Sequence, residues 1–440
     1  MSMVYPLLPE EPADAIERRQ LALWEEEGLF RKTLESTRRG PRFVFYEGPP
    51  TANGKPGIHH VFSRTIKDLI CRFHAMQGES VTRIAGWDTH GLPVEIEVEK
   101  QLKLSGKQDI EEFGVEKFNA LCRESVFRYQ SEWKSLSDRI AYWLDYDNPY
   151  VTCTNRYMET VWWLLQRLHQ RDLLVRGHRV LPYCPRCGTV LSSHELAQGY
   201  EDVTTNSAYV TFPLDDGSGR ELLIWTTTPW TLLSNVAVAV NPELEYGEYP
   251  VGDRRIILAT ARAELPSGPE RDSPGFADLK PLRTFRGSEL IGLRYTRPLE
   301  LVDLPEGTSR VVVPADFVSA ADGSGIVHLA PAFGTDDWTA GREHGLAMVR
   351  PVAADGTFTG TNWPELEGRL VTDRETGKLI TQRLKAEGRL LLTREHLHSY
   401  PHCWRCQSPL IYYARDSWFV RTSAVKDRML ELNAGVDWNP

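Results

Sequence analysis

Two short cysteine pairs, Cys184 and Cys187 in "CPRC" and Cys403 and Cys406 in "CWRC", constrain this 440-residue chain more than any other feature. Four thiolates are the number a closed tetrahedral zinc site takes, and in a chain without an export signal C-x-x-C pairs read as metal ligands before disulfides. A single Zn2+ shared by both pairs would pin together the entry and exit of everything between them. It would be structural, since four thiolates leave no open position for water. Two other arrangements stay open: cysteines in loops without metal, and two separate sites completed by His194 or His402. Cys71, Cys122 and Cys153 read as small buried apolar residues.

The amino terminus, "MSMVYPLLPEEPADAIERR", lacks a basic start followed by an apolar core, so no secretory signal is expected and a cytoplasmic address follows by default. No segment reaches the ~18 unbroken apolar residues of a membrane span. The net charge of -9 argues against a protein that coats nucleic acid indiscriminately, although local basic stretches such as "RLHQRDLLVRGHR" can still meet phosphates.

Residues 13 to 35 read as helical, and "RFVFYEG" (42 to 48) as a short strand running into the turn-rich loop "PPTANGKPG". A helix follows from His60, with Val61, Phe62, Ile66, Leu69, Ile70 and Phe73 at helical spacing, and then a strand at "VTRIAGW". This β-α-β unit predicts a parallel sheet. Residues 109 to 142 and 156 to 172 read as amphipathic helices. After "LPYCPRCG" the texture changes to short strands, "NSAYVTF", "ELLIWTTT", "NVAVAV", "RRIILAT", "SRVVVP" and "GIVHLA", which predict a separate β-rich domain. Trp162 and Trp163 read as core packing rather than as a platform for bases.

A strand, a Gly- and Pro-rich loop and a helix start bearing two imidazoles make a plausible polyphosphate site, because free N–H groups at a helix start favour anions. The words around that loop say more. "EGPPTANGKPGIHH", "GWDTHGLPVE", "NPYVTCTNRYMETVWWLLQRL", "WTTTPWTLLSN", "HLAPAFGTDD" and "YPHCWRC" follow in this order. Together they closely resemble the amino-terminal half of the isoleucyl-tRNA synthetases, a family of class I aminoacyl-tRNA synthetases, over roughly residues 10 to 440.

The resemblance implies an α/β fold. It comprises the first half of a Rossmann-type catalytic domain, an inserted β-rich editing domain and a zinc knuckle. The implied division is 1–183 for the amino-terminal helix and catalytic half, 184–406 for the insertion (editing domain about 195–398), and 407–440 for a return toward the catalytic domain. The implied chemistry is activation of isoleucine by ATP with Mg2+ and transfer of the acyl group to tRNA(Ile), with no covalent enzyme intermediate. Gly48 and Pro49 would line the amino-acid pocket, and Asp88 would hold its ammonium.

At the loop itself the family signature is His-x-Gly-His, whereas this chain has Gly57-Ile58-His59-His60. His60 matches; the other histidine and the glycine have changed places. Three consequences are open: His59 turns back into the gap left by Gly57, it turns away, or the synthetic site is damaged. The first two are favoured, because the surrounding words are intact. The exchange is also expected to lower affinity for the adenylate-mimicking inhibitor mupirocin.

A pocket that accepts isoleucine cannot strongly exclude valine. One methylene discriminates by only about 1–3 kcal/mol, and the isoleucine–valine pair is itself the usual example of that limit. The resemblance places a second, hydrolytic site in the insertion, at Thr226, Thr227, Thr228, Asn235, His328 and Asp337. Asp337 would bind the ammonium of the mischarged residue, and Thr227 and His328 would shape the pocket and order the attacking water. No Ser-His-Asp or Cys-His set stands out, so direct attack by water is expected. The family's second ATP signature and its anticodon-binding helices are absent from the sequence, which therefore reads as the amino-terminal part of a ligase, expected to be monomeric. The alternatives are a free-standing editing hydrolase and a zinc-stapled tRNA-binding module.

Overall fold

The computed structural model describes residues 10–48, 50–51, 54–263 and 279–438. The chain divides into two compact units, residues 1–172 and 173–440.

In the first unit, helices α1 (Ala13–Glu26) and α2 (Leu29–Ser36) replace the single helix expected, because Gly28 takes a left-handed φ of 60° between them. Then come strand β1 (Arg42–Tyr46), helix α3 (Ile58–Met76) and strand β2 (Ser80–Trp87). Helices α4 (Leu92–Leu102), α5 (Lys107–Phe113) and α6 (Val115–Arg139) precede β3 (Asp145–Val151) and α7 (Asn155–His169). Gly114, at φ 106°, separates α5 from α6, where one long helix was expected. The strands form a parallel sheet in the order β1-β2-β3.

Helix α3 carries its predicted apolar stripe on its exposed side, with Phe62 70% and Leu69 67% accessible. Its buried residues are Cys71 and Arg64. Burial of a guanidinium is tolerable here because Arg64 donates to Ser137 Oγ and lies 4.8 Å from the Trp133 ring and 5.3 Å from that of Tyr142. Trp162 and Trp163 do not pack in a core: both are exposed on α7, which has no buried residue. Cys122 and Cys153 are half-buried, short of the full burial expected.

The second unit begins with β4 (Leu174–Cys184), β5 (Thr189–Val190), α8 (Ser193–Ala197), β6 (Tyr200–Pro213) and β7 (Arg220–Thr226). After a 3-10 turn at Pro229–Ser234 come β8 (Ala237–Val240), β9 (Glu245–Val251), β10 (Arg254–Ala259), β11 (Arg283–Arg286), β12 (Val311–Pro314) and β13 (Val327–Leu329). Helices α9 (Thr335–Glu343) and α10 (Arg374–Ala386), strands β14 (Leu390–Pro401) and β15 (Ile411–Val420), and helix α11 (Lys426–Asn433) follow.

A six-stranded sheet runs β11-β9-β10-β7-β6-β14, and two three-stranded sheets run β12-β8-β13 and β15-β4-β5. Strict alternation along β6 and β7 explains how the large sheet is covered. Val210, Phe212, Leu222 and Ile224 enter the main core, whereas Tyr209 and Leu223 join a second cluster on the opposite face. Among the described residues no helix is long and apolar enough to cross a membrane.

Candidate functional sites

The first site lies at the carboxyl ends of the three parallel strands, where open α/β sheets place ligands. The loop leaving β1 is anchored at Glu47, a buried carboxylate that accepts from Lys67 Nζ at 2.8 Å and from the Tyr142 hydroxyl, while the Tyr150 hydroxyl donates to its carbonyl. Gly48 follows directly and is exposed. Pro49 lies outside the described residues. Beyond β2, Asp88 accepts from Thr51 Oγ1 at 3.3 Å, and its N–H donates to the Pro50 carbonyl, so the loop after β1 and the loop after β2 are tied together. His90 Nδ1 meets Thr152 Oγ1, beyond β3, at 2.7 Å.

At the start of α3, His60 Nδ1 accepts the Gly57 N–H at 2.9 Å, and the Gly57 carbonyl accepts the His60 N–H at 3.0 Å. The His60 ring meets Trp133 edge to face at 4.5 Å, and Trp133 Nε1 donates to the Gly54 carbonyl at 2.9 Å. His59 folds back over Gly57 with its ring centroid 3.8 Å from that of His60. Partial burial, and then the neighbouring His59, hold the His60 pKa below the ordinary imidazole value. The structure thus brings Gly57, His59 and His60 into one cluster. Glu47, Lys67, Tyr142 and Trp133 support it but were not singled out in the sequence, although Glu47 directly precedes the Gly48 of the quoted motif.

In the second unit the four expected cysteines converge, their Sγ atoms all within 4.8 Å of one another and Cys184 Sγ 3.5 Å from Cys406 Sγ. Tetrahedral Zn–S bonds of about 2.3 Å put sulfurs about 3.8 Å apart, so the donor set fits zinc. Neither His194 nor His402 belongs to the group: His194 Nε2 meets Gln198, and His402 Nδ1 meets the Tyr400 carbonyl. Cys184 and Cys403 are fully buried beside Leu191 and Leu410. Sulfhydryl donation from Cys184 and Cys187 holds the Cys403 thiol below the ordinary cysteine range. The two knuckles also close by backbone, His402 N–H donating to the Gly199 carbonyl at 2.6 Å, and by Glu195, which accepts from Arg405 and from Trp404 Nε1.

The third site is built where β7 stops. The strand ends at Thr226, so Thr227 and Thr228 stand in a loop rather than in the strand expected to include them. Thr226 Oγ1 accepts the Thr228 N–H at 3.1 Å, a local turn that competes with strand pairing. Thr227, Thr228 and Trp230 line a cavity of about 560 Å3 whose other walls come from β6, α10 and β14. Behind Thr228, Thr231 Oγ1 donates to the Thr228 carbonyl at 2.8 Å and lies 3.0 Å from His328 Nε2. Burial drives the His328 pKa down to about 4.

Asp337 sits in the first turn of α9, where its Oδ2 accepts the Ala330 N–H at 2.7 Å. Burial nevertheless pushes its pKa up to about 6, outweighing the backbone hydrogen bonds that lower it. A Cβ on Gly334 would collide with this carboxylate. Asn235 is not in the cavity wall. It is fully buried, with its amide donating to the Ala237 carbonyl at 2.9 Å and accepting the Tyr295 hydroxyl at 2.6 Å. The sequence reading missed Thr231, although it is the next hydroxyl after the threonine run.

A histidine-bearing loop at the ends of a parallel sheet, and a β-rich unit with four clustered cysteines and a threonine-lined cavity, have a counterpart among known proteins. The chain belongs to the class I tRNA synthetases (I, L, M and V), a family that matches residues 19–440. Within it, the chain is 46% identical over 425 residues to an isoleucine–tRNA ligase of Clostridium novyi, covering 97% of this chain and 40% of that protein. It is likewise 46% identical to those of Streptomyces coelicolor (100% and 42%) and Thermus thermophilus (97% and 40%). The chain thus spans about two fifths of the length of these relatives. Among solved structures, the editing domain of a Plasmodium knowlesi cytosolic leucyl-tRNA synthetase is a distant match, at TM-score 0.33 and 15% identity over 45% of this chain and 99% of that one.

Proposed function

We propose that this chain is the amino-terminal part of an isoleucine–tRNA ligase, which activates isoleucine with ATP and transfers it to tRNA(Ile), and that its second unit hydrolyses valyl-tRNA(Ile). Identity of about 46% along nearly the whole chain to curated isoleucine–tRNA ligases carries the reading. In the first unit, ATP with Mg2+ lies against the loop after β1. His60, oriented by Gly57 and Trp133, presents its Nε2 side to the phosphates, and His59 supplies the imidazole that the exchanged Gly57 lacks. Gly48 and Pro49 contribute backbone to the isoleucine pocket, and Asp88 receives the ammonium, a charge-assisted contact. The exchange of Gly57 and His59 reshapes the same space against mupirocin.

In the second unit, Asp337 anchors the valyl ammonium, Thr227 and Thr228 bound the pocket in which water attacks the ester, and Thr226 holds their loop through the Thr228 N–H. Cys184, Cys187, Cys403 and Cys406 would hold zinc, which when bound supplies a structural crosslink and no Lewis-acid chemistry. The test is hydrolysis of valyl-tRNA(Ile) against isoleucyl-tRNA(Ile) by this chain, together with isoleucine-dependent ATP–pyrophosphate exchange by a full-length enzyme carrying it. Preferential loss of the valyl ester and exchange specific to isoleucine are expected; equal hydrolysis of both esters, or exchange driven equally by leucine, would refute the assignment.

A further inference from the structure

We infer that Thr152, the first residue after β3, is a positioning residue for the isoleucine ammonium: its hydroxyl and its backbone fix the two flanks of Asp88 and do not touch the substrate. This rests on the role of Asp88 proposed above.

The contact of the Asp88 carboxylate with Thr51 Oγ1, at 3.3 Å, is long for a bond between a hydroxyl and a carboxylate. Its direction is therefore set by the backbone that carries it, and that backbone is pinned on three sides. The Asp88 N–H donates to the Pro50 carbonyl at 3.2 Å, on the loop after β1. The residue before it, Trp87, is fully buried, and its carbonyl accepts the Thr152 N–H at 3.1 Å. The residue after it, Thr89, is bound twice: its N–H donates to Thr152 Oγ1 at 2.9 Å, and its Oγ1 accepts the Cys153 N–H at 3.1 Å. Thr89 and the pair Thr152–Cys153 thus exchange side chain for backbone in both directions, across 63 residues of sequence.

The Thr152 hydroxyl is the hub of this exchange, since its Oγ1 also meets His90 Nδ1 at 2.7 Å and Thr89 Oγ1 at 3.3 Å. Both threonines are buried, so loss of that hydroxyl strands the Thr89 N–H away from water. The bond from the Thr152 N–H to Trp87 survives any side-chain change short of proline. Strand β2 therefore stays paired at its end while the chain just beyond Asp88 relaxes. A charge-assisted contact is sensitive to such a shift, because a displacement of about 1 Å is enough to cost roughly a hundredfold in a positioned site.

The test is ATP–pyrophosphate exchange by a full-length enzyme carrying this chain, with two competitors of isoleucine. Isoleucinol keeps the ammonium, and 2-hydroxy-3-methylpentanoate has a hydroxyl in its place. Thr152→Val should raise KM for isoleucine and Ki for isoleucinol by roughly tenfold, with KM for ATP and Ki for the hydroxy acid within about twofold. Thr152→Ser, which keeps the acceptor, should stay within about threefold of wild type throughout. If Thr152→Val does not fold, Thr152→Cys, whose sulfur is a poor acceptor, should move the same two constants in the same direction by less. Equal weakening of isoleucinol and the hydroxy acid would overturn the inference, since a merely structural threonine does not tell an ammonium from a hydroxyl. Thr152→Val indistinguishable from Thr152→Ser would overturn it too. Asp88→Asn is the control on the underlying assignment: it should weaken isoleucinol at least as much, and unchanged isoleucinol binding there would refute the role of Asp88 itself, and this inference with it.

Discussion

His59 occupies the space that a side chain at position 57 would need: a Cβ on Gly57 would stand 2.9 Å from His59 Cε1 and 3.1 Å from its Nδ1. The two positions are therefore coupled, and an imidazole from one excludes a side chain on the other. The neighbour is the far end of a flexible side chain, so the conflict is relieved by swinging the ring rather than by unfolding. Gly57→Ala should leave Tm within about 2 °C but displace His59 from His60. With that charge moved away, the His60 pKa should rise toward the ordinary imidazole value, read by NMR titration. An unchanged His60 titration would mean that His59 never depended on the glycine.

The cysteine cluster makes a prediction about metal content. The purified chain should carry about one zinc, and Cys403→Ser or prolonged chelation should remove it. Loss of a closed structural site costs the second unit several kcal/mol, so its Tm should fall by roughly 10 °C. Elemental analysis alongside calorimetry decides this. A metal-free chain with unchanged melting would leave the four thiols as packing alone.

Asp337 predicts a conflict between stability and activity. A raised carboxyl pKa means that the folded chain binds a proton the unfolded chain does not, so stability is lost as pH rises from about 4 to about 6. Above that window the ionised group costs on the order of 2–3 kcal/mol. Asp337→Asn should therefore be neutral at pH 4 and raise Tm by roughly 5 °C at pH 7, while abolishing hydrolysis of valyl-tRNA(Ile). Equal melting of the two proteins at pH 7 would show that the carboxylate is not held at a cost.

His328 has the opposite sign. Its depressed pKa means that stability falls as pH drops from about 6.5 to about 4, because the unfolded imidazole takes a proton that the buried one refuses. In the Asp337→Asn background this term is no longer offset, so a denaturation series should show a steeper loss below pH 6 than the wild type. Adding His328→Gln should flatten it again.

Gly199 permits the close approach of the two knuckles, since a Cβ there would run into the His402 carbonyl. Backbone cannot swing aside as a side chain can. Gly199→Ala should cost roughly 1–3 kcal/mol, seen as a lower denaturant midpoint, and should weaken zinc retention.

The cysteine cluster was legible because its chemistry narrows the choice: four thiolates in two pairs have few other uses. The parallel β-α-β start was legible from the switch between strand and helical spacing. Helix breaks were not, because Gly28 and Gly114 interrupt runs whose polar and apolar periodicity continues across them. Trp162 and Trp163 on α7 were misread as core for a related reason: periodicity shows that a face is apolar, not whether anything covers it. Asn235 looked like a ligand beside the threonine run, but it is fully buried, and its oxygen accepts the hydroxyl of Tyr295, 60 residues away in sequence. The contact of Thr231 with His328 spans 97 residues and is equally invisible to local pattern.

The antiparallel ladder of β4 and β15 has a mechanical consequence. The chain enters the second unit at Leu174 paired with Val420, and the ladder ends at Tyr183 paired with Ile411, next to Cys184. Tension applied between Leu174 and Val420 would peel this ladder one pair at a time, as a zipper opens, toward the thiolates. A metal clamp at that point would stop the tear and leave the six-stranded sheet and its cavity unloaded.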